Sequence, residues 1–199
     1  MNKIYNTLLS AICAGICIGL GGYINIHIEN PYIGALLFTT GLYIIANYNL
    51  NLFTGKVGYI LLQLDKWNYL KDLIVILIGN FIGCYIIALM GCQSSIATDN
   101  LAKIVNTSLN TDYLTGCVRA IFCGFLVFIA VDLFKYKNTT LGLFICIPAF
   151  ILSGMYHSIA FAYYFMTADY FPIILLIYYV IGNTMGGLLG CSFKLFQKE

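Results

Sequence analysis

Long apolar stretches separated by short polar segments run along most of the chain. A helix needs roughly 20 apolar residues to cross the hydrocarbon core of a bilayer. Six stretches meet this requirement and lie at about 8–26, 32–62, 70–91, 113–134, 139–166 and 171–196. The pattern predicts an all-α membrane protein with six transmembrane helices, folded as a single domain over residues 1–199. The remaining polar stretch, at about 92–112, is predicted to be an exposed loop.

The second and fifth stretches are too long for simple spans, and both carry polar residues in their middle. Asn51 and Thr54 interrupt the second stretch, and Gly154 and His157 interrupt the fifth. A break frees backbone N–H and C=O groups that cannot face lipid, so they must be buried in protein or line a cavity. Paired broken helices are typical of the transport path of membrane transporters. The sequence therefore predicts that both breaks border such a path.

A short motif occurs twice in the chain. Ile-Gly-Asn-Phe-Ile-Gly at 78–83 returns as Ile-Gly-Asn-Thr-Met-Gly at 181–186, an offset of 103 positions. The two halves, at about 8–91 and 113–196, then hold three spans each. Because three is an odd number, the second copy must cross the membrane in the opposite orientation. The repeat therefore predicts the inverted-repeat architecture found in transporters and channels.

The offset also relates the residues at the two breaks. It places Thr54 of the second stretch on His157 of the fifth. An asparagine stands at the same position in both copies of the motif, and a buried amide must find hydrogen-bond partners. The residues expected to support the broken helices are Asn80, Asn183, Gly55 and Gly154.

Composition supports a membrane location. Apolar residues make up 61% of the chain, charged residues only 9%, and the mean hydropathy is +0.89. Ordinary soluble domains carry roughly 25% charged residues, so the apolar surface is expected to face a lipid bilayer. The net charge of +2 is too small for a surface that binds nucleic acid.

No catalytic or metal site is predicted. The eight cysteines lie mostly within apolar stretches and show no zinc-ligand spacing. Neither of the two histidines belongs to an HExxH motif, and no serine lies in a GxSxG motif. The sequence therefore predicts no enzyme activity, no cofactor and no metal ion.

Basic residues concentrate on one side of the predicted topology. Six spans put both termini on the same side, and that side then holds most of the ten lysines and arginines. The positive-inside rule predicts that both termini are cytoplasmic, and a bacterial inner membrane is the expected location. Lys56 is expected at the solvated inner end of its helix. Arg119 lies near the outer end of the fourth span, where it either anchors the helix at the interface or attracts anions to the outer mouth.

Four segments resemble the formate/nitrite transporter family. Leu-Phe-Thr-Gly at 52–55 resembles the broken second helix of that family, and Ser-Gly-x-x-His-Ser-Ile-Ala at 153–160 is similar to its fifth-helix signature. Arg119 with the residues at 126–131 looks like the fourth helix, and Ile-Gly-Asn-x-x-Gly-Gly at 181–187 resembles the sixth. The resemblance implies an aquaporin-like protomer with one pore and assembly as a homopentamer. It also implies transport of formate, nitrite, hydrosulfide, lactate or a similar monovalent anion.

The resemblance assigns residues to the transport path. Members of the family carry a central histidine between two apolar constrictions, together with a threonine from the broken second helix. In this chain His157 and Thr54 match these residues, and Phe53 lies near a constriction.

The chain departs from the family pattern at several positions along this path. The family lysine that precedes the proline of the fifth helix is Leu141 in this chain, and the asparagine that follows the histidine is Phe161. The acidic residue before Leu-Phe-Thr-Gly is Asn51. These changes reduce the expected attraction for anions and make the path more apolar.

A weak-acid anion loses much of its hydration energy when it leaves water, so protonation favours its passage through an apolar constriction. His157 can donate that proton or a hydrogen bond, and Thr54 can supply a hydroxyl contact. We therefore expect transport of a small weak-acid anion, formate or hydrosulfide more than nitrite. The departures leave an alternative open, in which the same fold conducts a small neutral solute or conducts nothing.

Overall fold

The structure is a computed structural model and describes residues 3–196. These residues form helices and no strands. The helices are α1 (Lys3–His27), α2 (Pro31–Asn47), α3 (Phe53–Lys56), α4 (Lys66–Ala88), α5 (Ser95–Leu109), α6 (Tyr113–Lys137), α7 (Leu141–Leu152), α8 (Ser158–Thr167) and α9 (Ile173–Phe196). A 3-10 helix, Val57–Leu62, continues directly from α3. The all-α prediction is confirmed for this part of the chain.

Four helices, α1, α4, α6 and α9, are long and apolar enough to cross a membrane, with 23 to 25 residues each. α1 packs along α4, and α6 packs along α9. Both contacts depend on glycine, because a Cβ atom on Gly83 would overlap the carbonyl oxygen of Ile12. A Cβ atom on Gly186 would likewise overlap the carbonyl oxygen of Ile121. Small residues that let helix backbones touch are typical of packing within membranes.

Both long predicted stretches are interrupted where polar residues occupy their middle. α2 ends at Asn47, and the chain unwinds through Asn49, with φ of 51°, before α3 begins. α7 ends at Leu152, and the chain unwinds through Gly154, with φ of 65°, before α8 begins. Asparagine and glycine adopt this left-handed conformation more readily than other residues. Each break therefore has a local cause in the sequence.

α5 occupies most of the stretch at 92–112, so the predicted loop is wrong, although most residues of the stretch are exposed as predicted. Ser94 caps the helix by accepting the backbone N–H of Ala97. Leu101 and Val105 follow Ala97 at intervals of four residues, and all three are buried. This spacing is that of an amphipathic helix lying on a protein surface. The polar residues on its opposite face conceal the periodicity in the sequence.

The middle of the molecule is formed by α3 and α8, the two short helices that follow the breaks. All residues of α8 from Ser158 to Phe165 are buried. α8 packs mainly against α1 and α4, and α3 packs mainly against α6, with further contacts to α4 and α9. Each half of the chain therefore places its short helix against long helices of the other half.

Candidate functional site

The side chains of His157 and Thr54 meet in the interior. His157 directly precedes α8, and Thr54 is the second residue of α3. Both are buried, with exposed fractions of 1% and 0%. The Nε2 atom of His157 lies 2.9 Å from Oγ1 of Thr54. The structure thus brings together the two polar residues that the sequence places at the breaks.

Hydrogen bonding determines which nitrogen of the imidazole carries the proton. Nδ1 of His157 accepts the backbone N–H of Ala160 at 3.1 Å and so caps the first turn of α8. A nitrogen that accepts a hydrogen bond holds no proton, so in the neutral ring the proton is on Nε2. Nε2 then donates to Thr54. The hydroxyl proton of Thr54 remains available as a donor.

Asn80 of α4 holds the first break in place. Its Oδ1 atom accepts the backbone N–H of Phe53 at 2.9 Å. Its Nδ2 atom donates to the carbonyl oxygens of Asn51 and Ala11, each at 2.8 Å. One buried amide therefore satisfies both an N–H and a C=O that the break removes from helical hydrogen bonding, and ties them to α1.

Asn183 of α9 makes the same set of contacts at the second break. Its Oδ1 atom accepts the backbone N–H of Ser158 at 2.7 Å. Its Nδ2 atom donates to the carbonyl oxygens of Tyr156 at 2.8 Å and Ala120 at 2.7 Å. The asparagine of the repeated motif has the same structural task in both halves.

These amide contacts correct the alignment of the two halves. They align Phe53 with Ser158, because each donates its backbone N–H to the asparagine of its own half. The preceding residues, Leu52 and His157, then correspond to each other. The placement of Thr54 on His157 by a constant offset is therefore wrong by two positions. The chain between break and asparagine is two residues longer in the first half, spanning 27 positions against 25.

A cavity of about 320 Å³, named the His157 cavity, opens on one side of the imidazole. Its aromatic lining residues are Phe38, Phe150, Tyr156, Phe161 and Tyr164. The Phe150 ring stacks on the imidazole with 5.7 Å between centroids. Phe161 packs edge-on against Tyr156 at 4.9 Å. Glu29 and Lys103 are the charged residues of this lining.

A second cavity, of about 620 Å³ and named the Lys56 cavity, is lined by the residues around the first break. Asn51, Gly55 and Lys56 contribute to it from this segment, and Lys135 contributes from the end of α6. His157 lines the first cavity, and Thr54 directly precedes Gly55 of the second, so their contact joins a residue of one lining to a neighbour of the other. Lys56 is half-buried at the end of α3, where it faces this cavity.

The remaining predicted site residues lie outside both cavity linings. Arg119 donates from Nη1 to the Tyr156 hydroxyl at 3.0 Å, with its guanidinium 5.4 Å from the ring centroid. Because Tyr156 lines the His157 cavity, Arg119 supports the cavity wall without being part of its lining. Leu141 begins α7 and is 62% exposed. Phe53 is buried at the start of α3, where its backbone N–H donates to Asn80.

Lys135 and most of the aromatic residues that line the His157 cavity were not predicted from the sequence. Phe38 and Phe150 lie in long, mainly apolar stretches, where nothing distinguishes a cavity-lining ring from a packing residue. Lys135 is far from the first break along the chain, so no local signal in the sequence places it beside that segment. Among residues 3–196, no group of three or more His, Cys, Asp or Glu side chains is placed to hold a metal ion.

Solved structures of membrane channels share this fold. One, described as a pentameric formate channel with formate bound, matches with a TM-score of 0.78 at 19% sequence identity, covering 98% of this chain and 95% of that one. Another, described as an FNT family ion channel, matches with a TM-score of 0.82 at 19% identity, covering 100% of this chain and 92% of that one. No curated protein matches the chain in sequence.

One family model matches nearly the whole chain. The match covers residues 1–196 and therefore includes both broken segments and both copies of the repeated motif. The family is described as formate/nitrite transporter. With four helices that are long and apolar enough to cross a bilayer, the chain is an integral membrane protein and belongs to the formate/nitrite transporter family.

Proposed function

We propose that this protein is a transmembrane channel or proton-linked transporter for small monovalent weak-acid anions of the formate, hydrosulfide or nitrite type. The observation that carries the proposal is the buried contact between His157, which lines one cavity, and Thr54, which is next in the chain to a residue lining the other. An ionisable side chain such as His157, buried in the middle of an apolar membrane protein, is energetically unfavourable and is usually functional. Membership of the family supports the same conclusion.

The apolar surroundings favour a neutral solute at the narrowest point. Leu52 and Phe53 are 1% and 6% exposed, and Thr54 and His157 are no more accessible. Moving a monovalent anion through such a region without compensating contacts is strongly unfavourable. A weak acid avoids this penalty by taking up a proton in a water-filled cavity, crossing as the neutral acid and releasing the proton on the far side.

The hydrogen bonds of His157 determine how it assists. An imidazolium would carry a proton on Nδ1, and the bond that caps α8 through Ala160 would be lost. The neutral ring keeps that cap and donates from Nε2 to Thr54. Thr54 can then donate its own hydroxyl proton to an oxygen or sulfur atom of the passing solute. In this mechanism His157 orients the hydroxyl, and the solute takes its proton from water.

We also propose how the protein is arranged in the membrane. Six membrane segments are arranged as two inverted three-helix repeats of the aquaporin type, with α2 and α3 forming one broken segment and α7 and α8 the other. The shared contacts of Asn80 and Asn183 support this arrangement. Both termini are cytoplasmic in a bacterial inner membrane, in accordance with the positive-inside rule. Assembly as a homopentamer is supported by the fold it shares with a pentameric formate channel.

Uptake into proteoliposomes tests the proposal. The purified protein is expected to accelerate uptake of formate, hydrosulfide or nitrite, and acidic external pH is expected to increase the rate because more of the solute is protonated. His157→Ala should abolish most of this uptake. His27→Ala is the matched control, because His27 is the other histidine and lines neither cavity. Equal uptake by wild type and His157→Ala would contradict the proposal, and permeability to urea without anion uptake would favour the neutral-solute channel.

A further inference from the structure

Lys56 faces the Lys56 cavity from the last position of α3, two residues after Thr54. Its Nζ atom donates to Oδ1 of Asn51 at 2.5 Å. The amide of Asn51 is itself fixed, because its Nδ2 atom donates to the carbonyl oxygen of Thr7 at 3.2 Å. An ammonium group has three donors, so two remain after the bond to Asn51. A neutral amide holds the lysine in place without cancelling its charge.

The carboxylates near this cavity are already paired with other lysines. Asp72 accepts from Lys3 at 2.8 Å. Asp132 accepts from Lys194 at 2.8 Å and from the hydroxyl of Tyr59 at 2.7 Å. Within residues 3–196 these are the two salt bridges of the protein. Lys56 therefore keeps an uncompensated positive charge on the cavity wall.

Lys135 also lines the Lys56 cavity, but in a different setting. It is exposed, and its ammonium lies 5.0 Å from the ring centroid of Tyr59 and 5.4 Å from that of Tyr136. Aromatic faces attract a cation, so these rings hold Lys135 at the rim. Lys56 is the more buried of the two and lies on the same short helix as Thr54.

The two cavities consequently differ in charge. The His157 cavity is lined by one carboxylate, Glu29, and one ammonium, Lys103. The Lys56 cavity is lined by Lys56 and Lys135, and its carboxylate, Asp72, is bonded to Lys3. An anion is therefore attracted to the Lys56 cavity more strongly than to the His157 cavity.

We propose that Lys56 is the anion-binding residue of this protein, at which a small monovalent oxyanion or hydrosulfide is held in the Lys56 cavity before it reaches Thr54. The inference rests on the proposed function. It adds the residue that captures the anion, and it implies that capture is strongest from the side of the Lys56 cavity. Asn51 acts as the positioning residue for the ammonium.

The test measures initial uptake of radiolabelled formate into proteoliposomes at subsaturating concentration. Lys56→Gln removes the charge and keeps a donor for Asn51, so its uptake rate should fall about tenfold at low ionic strength. Lys56→Arg should restore most of the rate. Asn51→Asp, which places a carboxylate beside the ammonium, should lower the rate in the same way through a different residue. Lys66→Gln, an exposed lysine outside both cavities, is the control for net charge.

Ionic strength separates an electrostatic role from a structural one. Raising it from about 10 mM to about 300 mM with gluconate should slow the wild type and leave Lys56→Gln nearly unchanged, because salt screens charge in a solvated cavity. Uptake by folded Lys56→Gln and Asn51→Asp at the wild-type rate would overturn the inference while leaving the proposed function intact. Absence of formate, nitrite and hydrosulfide uptake by the wild type would instead overturn the proposed function.

Discussion

The imidazole of His157 and the hydroxyl of Thr54 are 2.9 Å apart, although 103 positions separate them in the chain. Each lies at the start of a short helix that follows a break, and each helix packs against long helices of the opposite half. Their contact is therefore possible only when both breaks are correctly formed. The stability of the breaks and the geometry of the site are consequently linked.

Thr54→Val should reduce formate uptake by about 10-fold to 100-fold, the effect of losing one hydrogen bond of about 1–3 kcal/mol in a rate-limiting step. Valine has the shape of threonine without the hydroxyl, so the imidazole loses its acceptor and the solute loses its donor. Thr54→Ser keeps the hydroxyl and should retain most of the uptake. The rates are compared in proteoliposomes after each variant has been shown to elute as the wild type does in size-exclusion chromatography. A fully active Thr54→Val would show that the hydroxyl has no part in transport.

Asn80→Ala should lower the free energy of unfolding by about 2 kcal/mol or more, because it leaves buried backbone groups of the first break without partners. Asn80 is fully buried, and its three hydrogen bonds reach both the break and α1. Asn47→Ala is the matched control, because that exposed amide makes one hydrogen bond, to the carbonyl oxygen of Tyr43. Thermal unfolding in detergent compares the two. Equal melting temperatures for these variants would contradict the supporting role assigned to Asn80.

Much of this arrangement can be predicted from the sequence, because its causes are local. Apolar length predicts the spans, and polar residues in the middle of an apolar stretch predict the breaks at Asn51 and His157. The repeated asparagine can be recognised because each half needs a buried amide to hydrogen-bond the free backbone groups at its break. These features follow from the requirement that backbone groups in a membrane must be satisfied.

The remaining features depend on spatial proximity that the sequence does not carry. A constant offset pairs Thr54 with His157, whereas the contacts pair Leu52 with His157, because the halves differ in length between break and asparagine. The unpaired charge of Lys56 becomes visible only when Asp72 is found bonded to Lys3. The helix α5 is hard to recognise in the sequence, since the polar residues of its exposed face conceal the spacing of its buried ones.

Gly186→Ala should destabilise the protein by about 3 kcal/mol or more, because the added methyl group would overlap the backbone of α6 and force two helices apart. The nearest atoms belong to the main chain of Ile121 and Phe125, which cannot move independently of their helix. Gly116→Ala is the control, because its Cβ would meet only ordinary contacts, the nearest at 3.4 Å with the ring of Tyr179. There alanine should be neutral or stabilising by about 0.5–1 kcal/mol, since it favours the helix. Expression level and melting temperature of the two variants provide the comparison.

Asp112→Ala should lower the melting temperature by about 2–4 °C at neutral pH, because it removes the cap of α6. The carboxylate of Asp112 accepts the backbone N–H of Thr115 at 2.9 Å, and this hydrogen bond lowers the pKa of Asp112 below its ordinary value. A lowered pKa in the folded state means that the stabilisation is complete above the pKa of the unfolded chain, about 3.9, and is lost as the pH falls through the folded value. The difference in melting temperature between wild type and Asp112→Ala should therefore be constant from pH 7 to about pH 5 and shrink below about pH 4.

Asp112→Asn keeps an acceptor for Thr115 and should show a melting temperature near that of the wild type with no such dependence on acid. A difference that grows as the pH falls would show that the carboxylate is not the cap.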